Sequence, residues 1–149
     1  MATAKGAHMK KIGMLLIAVA ACGGSDEIDT SGIIGNWNGN GSISAGTAST
    51  QGTASVGITA DGKDLSVAGL CLISSVLHAT AESETTFTVT NQACPLVAST
   101  NPNGCQAITL AWASGHGTIE NGVLTVTTTG TLSGCGQSIA ATYNFNGHK

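Results

Sequence analysis

Residues 106–132 read QAITLAWASGHGTIENGVLTVTTTGTL, and this stretch decides the fold. Ile108, Leu110 and Trp112 recur at every second position, the period that places side chains on one face of a β-strand. Leu124 and Val126 alternate in the same way further along. Thr125, Thr127 and Thr129 take the opposite face, where β-branched hydroxyl residues suit an exposed sheet surface. Between the two runs stands Glu120-Asn121-Gly122, and Asn-Gly tolerates the positive φ angles of a type I′ turn. The segment predicts an antiparallel hairpin.

The rest of the chain repeats this grammar. Short runs rich in Thr, Val and Ile alternate with turn signals, and no window after Cys22 sustains a helical period. Asn-Gly recurs at Asn38-Gly39, Asn40-Gly41, Asn103-Gly104 and Asn146-Gly147, and Asp61-Gly62 joins them. Strands are expected over 35–45, 53–60, 63–69, 73–81, 85–93, 106–114, 123–132 and 138–145. The fold class is all-β: an antiparallel β-barrel or β-sandwich of about eight strands. Only 3% of residues are aromatic, so Val, Ile, Leu and Ala must supply most of the core.

Composition excludes several functions. Charged residues make up 9% of the chain, against roughly 25% in ordinary soluble domains. The five basic residues are all lysines, set against eight carboxylates. A basic face able to neutralise nucleic-acid phosphates is therefore ruled out. With two prolines and 42% hydrophobic residues, the chain is neither collagen-like nor disordered by composition.

The N-terminal stretch 9–22 reads MKKIGMLLIAVAAC. A lysine pair precedes an apolar run over 12–21, too short for the ~20 residues of a membrane-spanning helix. This is the layout of a signal peptide, and Met9 suits its start better than Met1. Val19-Ala20-Ala21-Cys22 resembles the lipobox of bacterial lipoproteins. That resemblance implies cleavage before Cys22 and acylation of Cys22 with chains such as palmitate. Each buried CH₂ of those chains contributes about 0.8 kcal/mol of membrane affinity. Gly23 follows Cys22 where an aspartate would favour inner-membrane retention, so the resemblance implies an outer-membrane location. The expected division is a signal peptide over 1–21, a flexible acidic tether over 22–32 and one β domain over 33–149. Without the leader, two lysines face eight carboxylates, a formal charge of −6.

With Cys22 assigned to lipid, Cys71, Cys94, Cys105 and Cys135 remain. An even number in an exported chain points to two disulfides, and the wide spacings do not match zinc ligation. A tight hairpin near Glu82-Ser83 would set Cys71 opposite Cys94 and His78 opposite Phe87. Cys71–Cys94 with Cys105–Cys135 is the expected connectivity, and Cys94–Cys105 with Cys71–Cys135 is its rival.

Gly35-Asn36-Trp37 resembles the G-x-W that opens lipocalin and related calycin barrels. The resemblance implies an up-and-down barrel with Trp37 closing its floor. Those barrels also pack a late-strand arginine over the tryptophan, and this chain has no arginine. No nucleophile elbow, phosphate-binding loop or H-E-x-x-H motif occurs. His116 near Glu120 is a candidate acid–base pair that a surface turn explains as well. Asp61 and Asp64 offer too few oxygens for calcium. No catalytic residue, metal or cofactor is expected. Trp37, His78 and Trp112 are the candidate ligand-binding residues if the barrel is a carrier. Two readings follow: a lipid-anchored envelope protein with a structural or interaction role, contacting other envelope proteins, or a calycin-like barrel binding a small apolar ligand or lipid.

Overall fold

The computed structural model describes residues 27–71, 75–95 and 108–149. The leader, Cys22, Asn103-Gly104 and Cys105 lie outside the described residues. Among the described residues nine antiparallel strands form one sheet: β1 (Gly35–Ala45), β2 (Ala48–Asp61), β3 (Asp64–Ala68), β4 (Val76–Ala81), β5 (Thr86–Val89), β6 (Gln92–Pro95), β7 (Thr109–Glu120), β8 (Val123–Gly134) and β9 (Gln137–His148). Neighbours follow the chain from β5 back to β1, and β1 pairs β9, which leads through β8 to β7. β5 then pairs β7 and closes the circle, while β6 pairs another stretch of β7. The architecture is a closed barrel with eight strand positions, β5 and β6 sharing one.

Alternation sets the inside and the outside. Trp37, Val56, Ile58, Leu65, Val67, Phe87, Leu110, Leu124, Val126 and Phe145 point inward and are buried, while the intervening positions are mostly polar. A narrow barrel must mix large and small inward residues, and here glycines sit opposite rings. Phe87 pairs Gly117, Trp112 pairs Gly130 and Phe145 pairs Gly41. A Cβ on Gly117 would stand 2.1 Å from the Phe87 ring.

This corrects the reading of three Asn-Gly pairs as turns. Asn38-Gly39 and Asn40-Gly41 lie within β1, and Asn146-Gly147 lies within β9. Their asparagines face out and their glycines face in. A Cβ on Gly39 would stand 2.0 Å from the Asn146 carbonyl oxygen, so close backbone approach selects glycine there. Asn121-Gly122 does form the β7–β8 turn, with φ of 53° and 77°. The β8–β9 turn is Cys135-Gly136, with φ of 53° and 75°.

Strand bounds shift accordingly. The expected strand over 85–93 divides into β5 and β6, and the expected strand over 106–114 runs on to Glu120. The β4–β5 register also differs from the expected tight hairpin. Ala81 pairs Phe87 across a longer loop, and His78 pairs Ser66 of β3 instead of Phe87. Cys71 and Cys94 are nonetheless disulfide-bonded, with Cα atoms 5.5 Å apart. Their bond joins the segment after β3 to β6, not two strands of one hairpin. Cys135 is also disulfide-bonded.

The packed domain begins before residue 33. Ile28 packs against the core, Thr30 is buried, and the main-chain N–H groups of Ile33 and Ile34 donate to the Thr30 carbonyl. Residues 28–34 form a strap under one end of the barrel, so the expected tether is shortened by the apolar contacts of Ile28 and Ile33.

Candidate interaction surface

The strap defines one end of the barrel as its floor. The fully buried Ile33 accepts a hydrogen bond from the Trp37 indole Nε1 at 3.0 Å. Lys149 Nζ lies 4.9 Å from the centre of the Trp37 ring and donates to the Gly32 carbonyl at 3.0 Å. A lysine thus supplies the cation over the floor tryptophan in a chain that has no arginine. The opposite end, the mouth, has its own anchor. Trp112 Nε1 donates to the Leu70 carbonyl at 3.2 Å, beside the Cys71–Cys94 bridge.

The three expected ligand-binding residues do not converge. Trp37 and Trp112 are buried in the core near opposite ends, and His78 is exposed on the outer wall. Most described inward positions carry Trp, Phe, Leu, Ile, Val or Ala side chains, with Tyr143, Thr128 and the inward glycines among them. A recess at the mouth touching inward residues, about 320 Å³ beside Ile43 and Tyr143, is open to solvent. The Thr128 hydroxyl is the single buried side-chain polar atom without a partner among the described residues. His116 also departs from expectation. It lies within β7, exposed, opposite Thr127 and Thr88, and no hydrogen bond joins it to Glu120. Among the described residues no group of three or more His, Cys, Asp or Glu could hold a metal.

What the fold does assemble is a polar exterior. Gln51, Ser42, Asn144, Thr127, His116 and Thr88 follow one another across six strands. The next row runs through Thr53, Asn40, Asn146, Thr125, Thr118 and Thr86. Rows of this kind repeat at ~4.8 Å between strands and about twice the ~3.4 Å rise along them. Where β2, β1, β9 and β8 lie side by side, the outer face forms a groove of about 720 Å³. Asn40, Ser42, Gln51, Thr53, Asn144 and Asn146 line it.

Hydrogen bonding divides that lining. Asn146 Nδ2 donates to Thr125 Oγ1 at 3.2 Å, and Thr127 Oγ1 donates to Asn144 Oδ1 at 3.0 Å. The side chains of Asn40, Ser42, Gln51 and Thr53 make no hydrogen bond to any described residue. Elsewhere on the outer wall some polar residues pair, as Ser55 does with Asn38 at 2.7 Å, and others, such as Thr59 and Thr118, do not.

Charge is distributed just as unevenly. Glu27, Asp29, Asp61, Lys63, Asp64, Glu82, Glu84, Glu120 and Lys149 are the charged residues of the described chain, and all sit in or just before the strap, at the floor turns or at the last position. From the groove to the mouth turns no side chain is Asp, Glu, Lys or Arg. Individual charges made poor sequence signals, but their absence over 30–60 and 121–148 could have pointed to this face.

An apolar interior under a polar exterior reverses the pattern of a membrane-spanning barrel, whose lipid-facing band is apolar. No family model matches the chain, and no curated protein does. Among solved structures, the chain is similar to a Bacteroides fragilis protein provisionally named an outer membrane protein, at 19% identity and a TM-score of 0.46. The match covers 80% of this chain and 52% of that one, so this chain spans about half its length.

Proposed function

We propose that this chain is a lipid-anchored protein of a bacterial cell envelope, held at the outer membrane through acyl chains on Cys22. Its disulfide-braced barrel acts there as an interaction module. One observation carries this reading: the barrel is filled inside and polar outside, so its wall offers neither a lipid-facing band nor a described ligand chamber. Attachment then falls to the N-terminus, where Val19-Ala20-Ala21-Cys22 resembles a lipobox. The strap packs on the acidic floor, so on this reading the membrane lies on the floor side. The uncharged end then faces away from the membrane.

Intact-mass analysis of the protein from its native membrane tests the anchor. The expected species begins at Cys22 and carries two or three acyl chains, and Cys22→Ser releases the protein from the membrane fraction. A mature chain lacking acyl mass would overturn the reading.

A further inference from the structure

We infer that the outer groove over β2, β1, β9 and β8 binds an uncharged carbohydrate chain. This deepens the interaction reading by naming a partner class, yet it rests on the barrel wall alone and not on acylation of Cys22.

The lining selects by what it contains. Amide side chains at Asn40, Gln51, Asn144 and Asn146 each offer both donors and acceptors. Ser42, Thr53 and Thr125 add hydroxyls that do either. A sugar hydroxyl also donates and accepts at once, so neighbouring hydroxyls of a glycan match such a lattice. The four groups without internal hydrogen bonds, Asn40, Ser42, Gln51 and Thr53, cluster on β1 and β2 at one side of the groove.

What the lining lacks excludes the rivals. No Lys or Arg is present for phosphate, sulfate or nucleic acid, and no carboxylate for a cationic partner. Protein interfaces centre on aromatic or arginine anchors, and both tryptophans here are buried. Ile34, Val76 and Ile139, the exposed large hydrophobic residues of the described chain, lie outside the groove. A neutral polyhydroxyl chain needs none of these. Without an aromatic platform each oligosaccharide binds weakly, with Kd on the order of millimolar.

The test is calorimetry or ligand-observed NMR of the full chain with maltohexaose, cellohexaose, chitohexaose and mannohexaose, with an anionic oligogalacturonate hexamer beside them. Binding to at least one neutral hexamer is expected, unchanged between low and high salt because no charge is screened. Asn40→Ala and Gln51→Ala should each weaken it by about tenfold. Thr59→Ala, exposed on β2 outside the groove, should leave it intact. Each of three results would overturn the inference: no neutral hexamer bound at several millimolar, binding indifferent to both groove variants, or preference for the anionic hexamer. Self-association of the chain that the groove variants abolish would also overturn it, assigning the face to a second copy. Acylation at Cys22 is read by mass and stands or falls separately.

Discussion

The floor and the mouth of this barrel solve one problem with different chemistry. At each end a segment outside the strands is tied by a tryptophan indole to a main-chain carbonyl, Ile33 at the floor and Leu70 at the mouth. The floor then adds polar and ionic contacts: Lys149 against Trp37 and Gly32, and Asp29 accepting from the Ser31 N–H at 2.9 Å. The mouth adds a covalent bond. Pairing explains the difference. β5 pairs only Ala79–Ala81 of β4, so among the described residues no strand pairs Val76–His78 on that side. Gln92 fills part of the gap, accepting from the His78 N–H and donating to the His78 carbonyl, both at 2.8 Å. Cys71–Cys94 spans the same seam. A disulfide carries no charge, which keeps the mouth end as neutral as the groove beside it.

The equivalence of the indole anchors yields the largest expected effects. Trp37→Ala and Trp112→Ala each remove a buried ring and should cost about 3–5 kcal/mol in urea unfolding. Losses of similar size would support the parallel between the ends. A Trp37→Ala loss below about 1 kcal/mol would show that the strap is held without its ring.

The covalent difference comes next. Cys71→Ala with Cys94→Ala should lower stability by about 2–4 kcal/mol. Native-state amide exchange in this variant should accelerate first at Val76–His78, with the floor strands still protected. Uniform acceleration would remove the seam as the cause.

How far this asymmetry could be read in advance depends on the period of the signal. The hairpin over β7 and β8 was legible because Leu110, Trp112, Leu124 and Val126 alternate around an Asn-Gly turn. Gly39, Gly41 and Gly147 misled because glycine serves turns and close packing alike, and only cross-strand neighbours separate the two. Cys71 and Cys94 were paired correctly on a register that does not exist. The disulfide depends on how the segment after β3 meets β6 across the seam, a non-local fact. The turn at Cys135-Gly136 is bracketed by the expected strands 123–132 and 138–145, although Cys135 lacks the Asn or Asp that usually takes that position. The groove was half legible: its Thr and Asn rows show in the sequence, but their lateral order across β2, β1, β9 and β8 requires the closure of β1 on β9.

A smaller effect sharpens the ionic side. Lys149→Met should cost about 1 kcal/mol, combining a cation–π contact with one hydrogen bond. Lys149→Arg should recover most of it. Trp37 lies beneath the charge, so the first substitution should also shift tryptophan fluorescence, whereas the Cys71/Cys94 variant should act on Trp112. A Lys149→Met variant as stable as the parent would leave the floor held by apolar packing alone.

The smallest effect belongs to the mouth half and appears only at high pH. Tyr143 points inward opposite Ile43 and Thr128, and burial raises its phenol pKa above the usual value near 10. The unfolded chain then releases the phenolic proton at lower pH than the folded one. Stability is fully present below the unfolded value and declines as pH rises through the folded one, because ionisation is easier in the unfolded chain. No hydrogen bond from the Tyr143 hydroxyl to a described residue exists, so Tyr143→Phe should be almost silent at neutral pH. It should flatten the alkaline limb of the unfolding curve. An alkaline decline that persists in Tyr143→Phe would place the responsible group elsewhere and leave desolvation at the mouth without a measurable consequence.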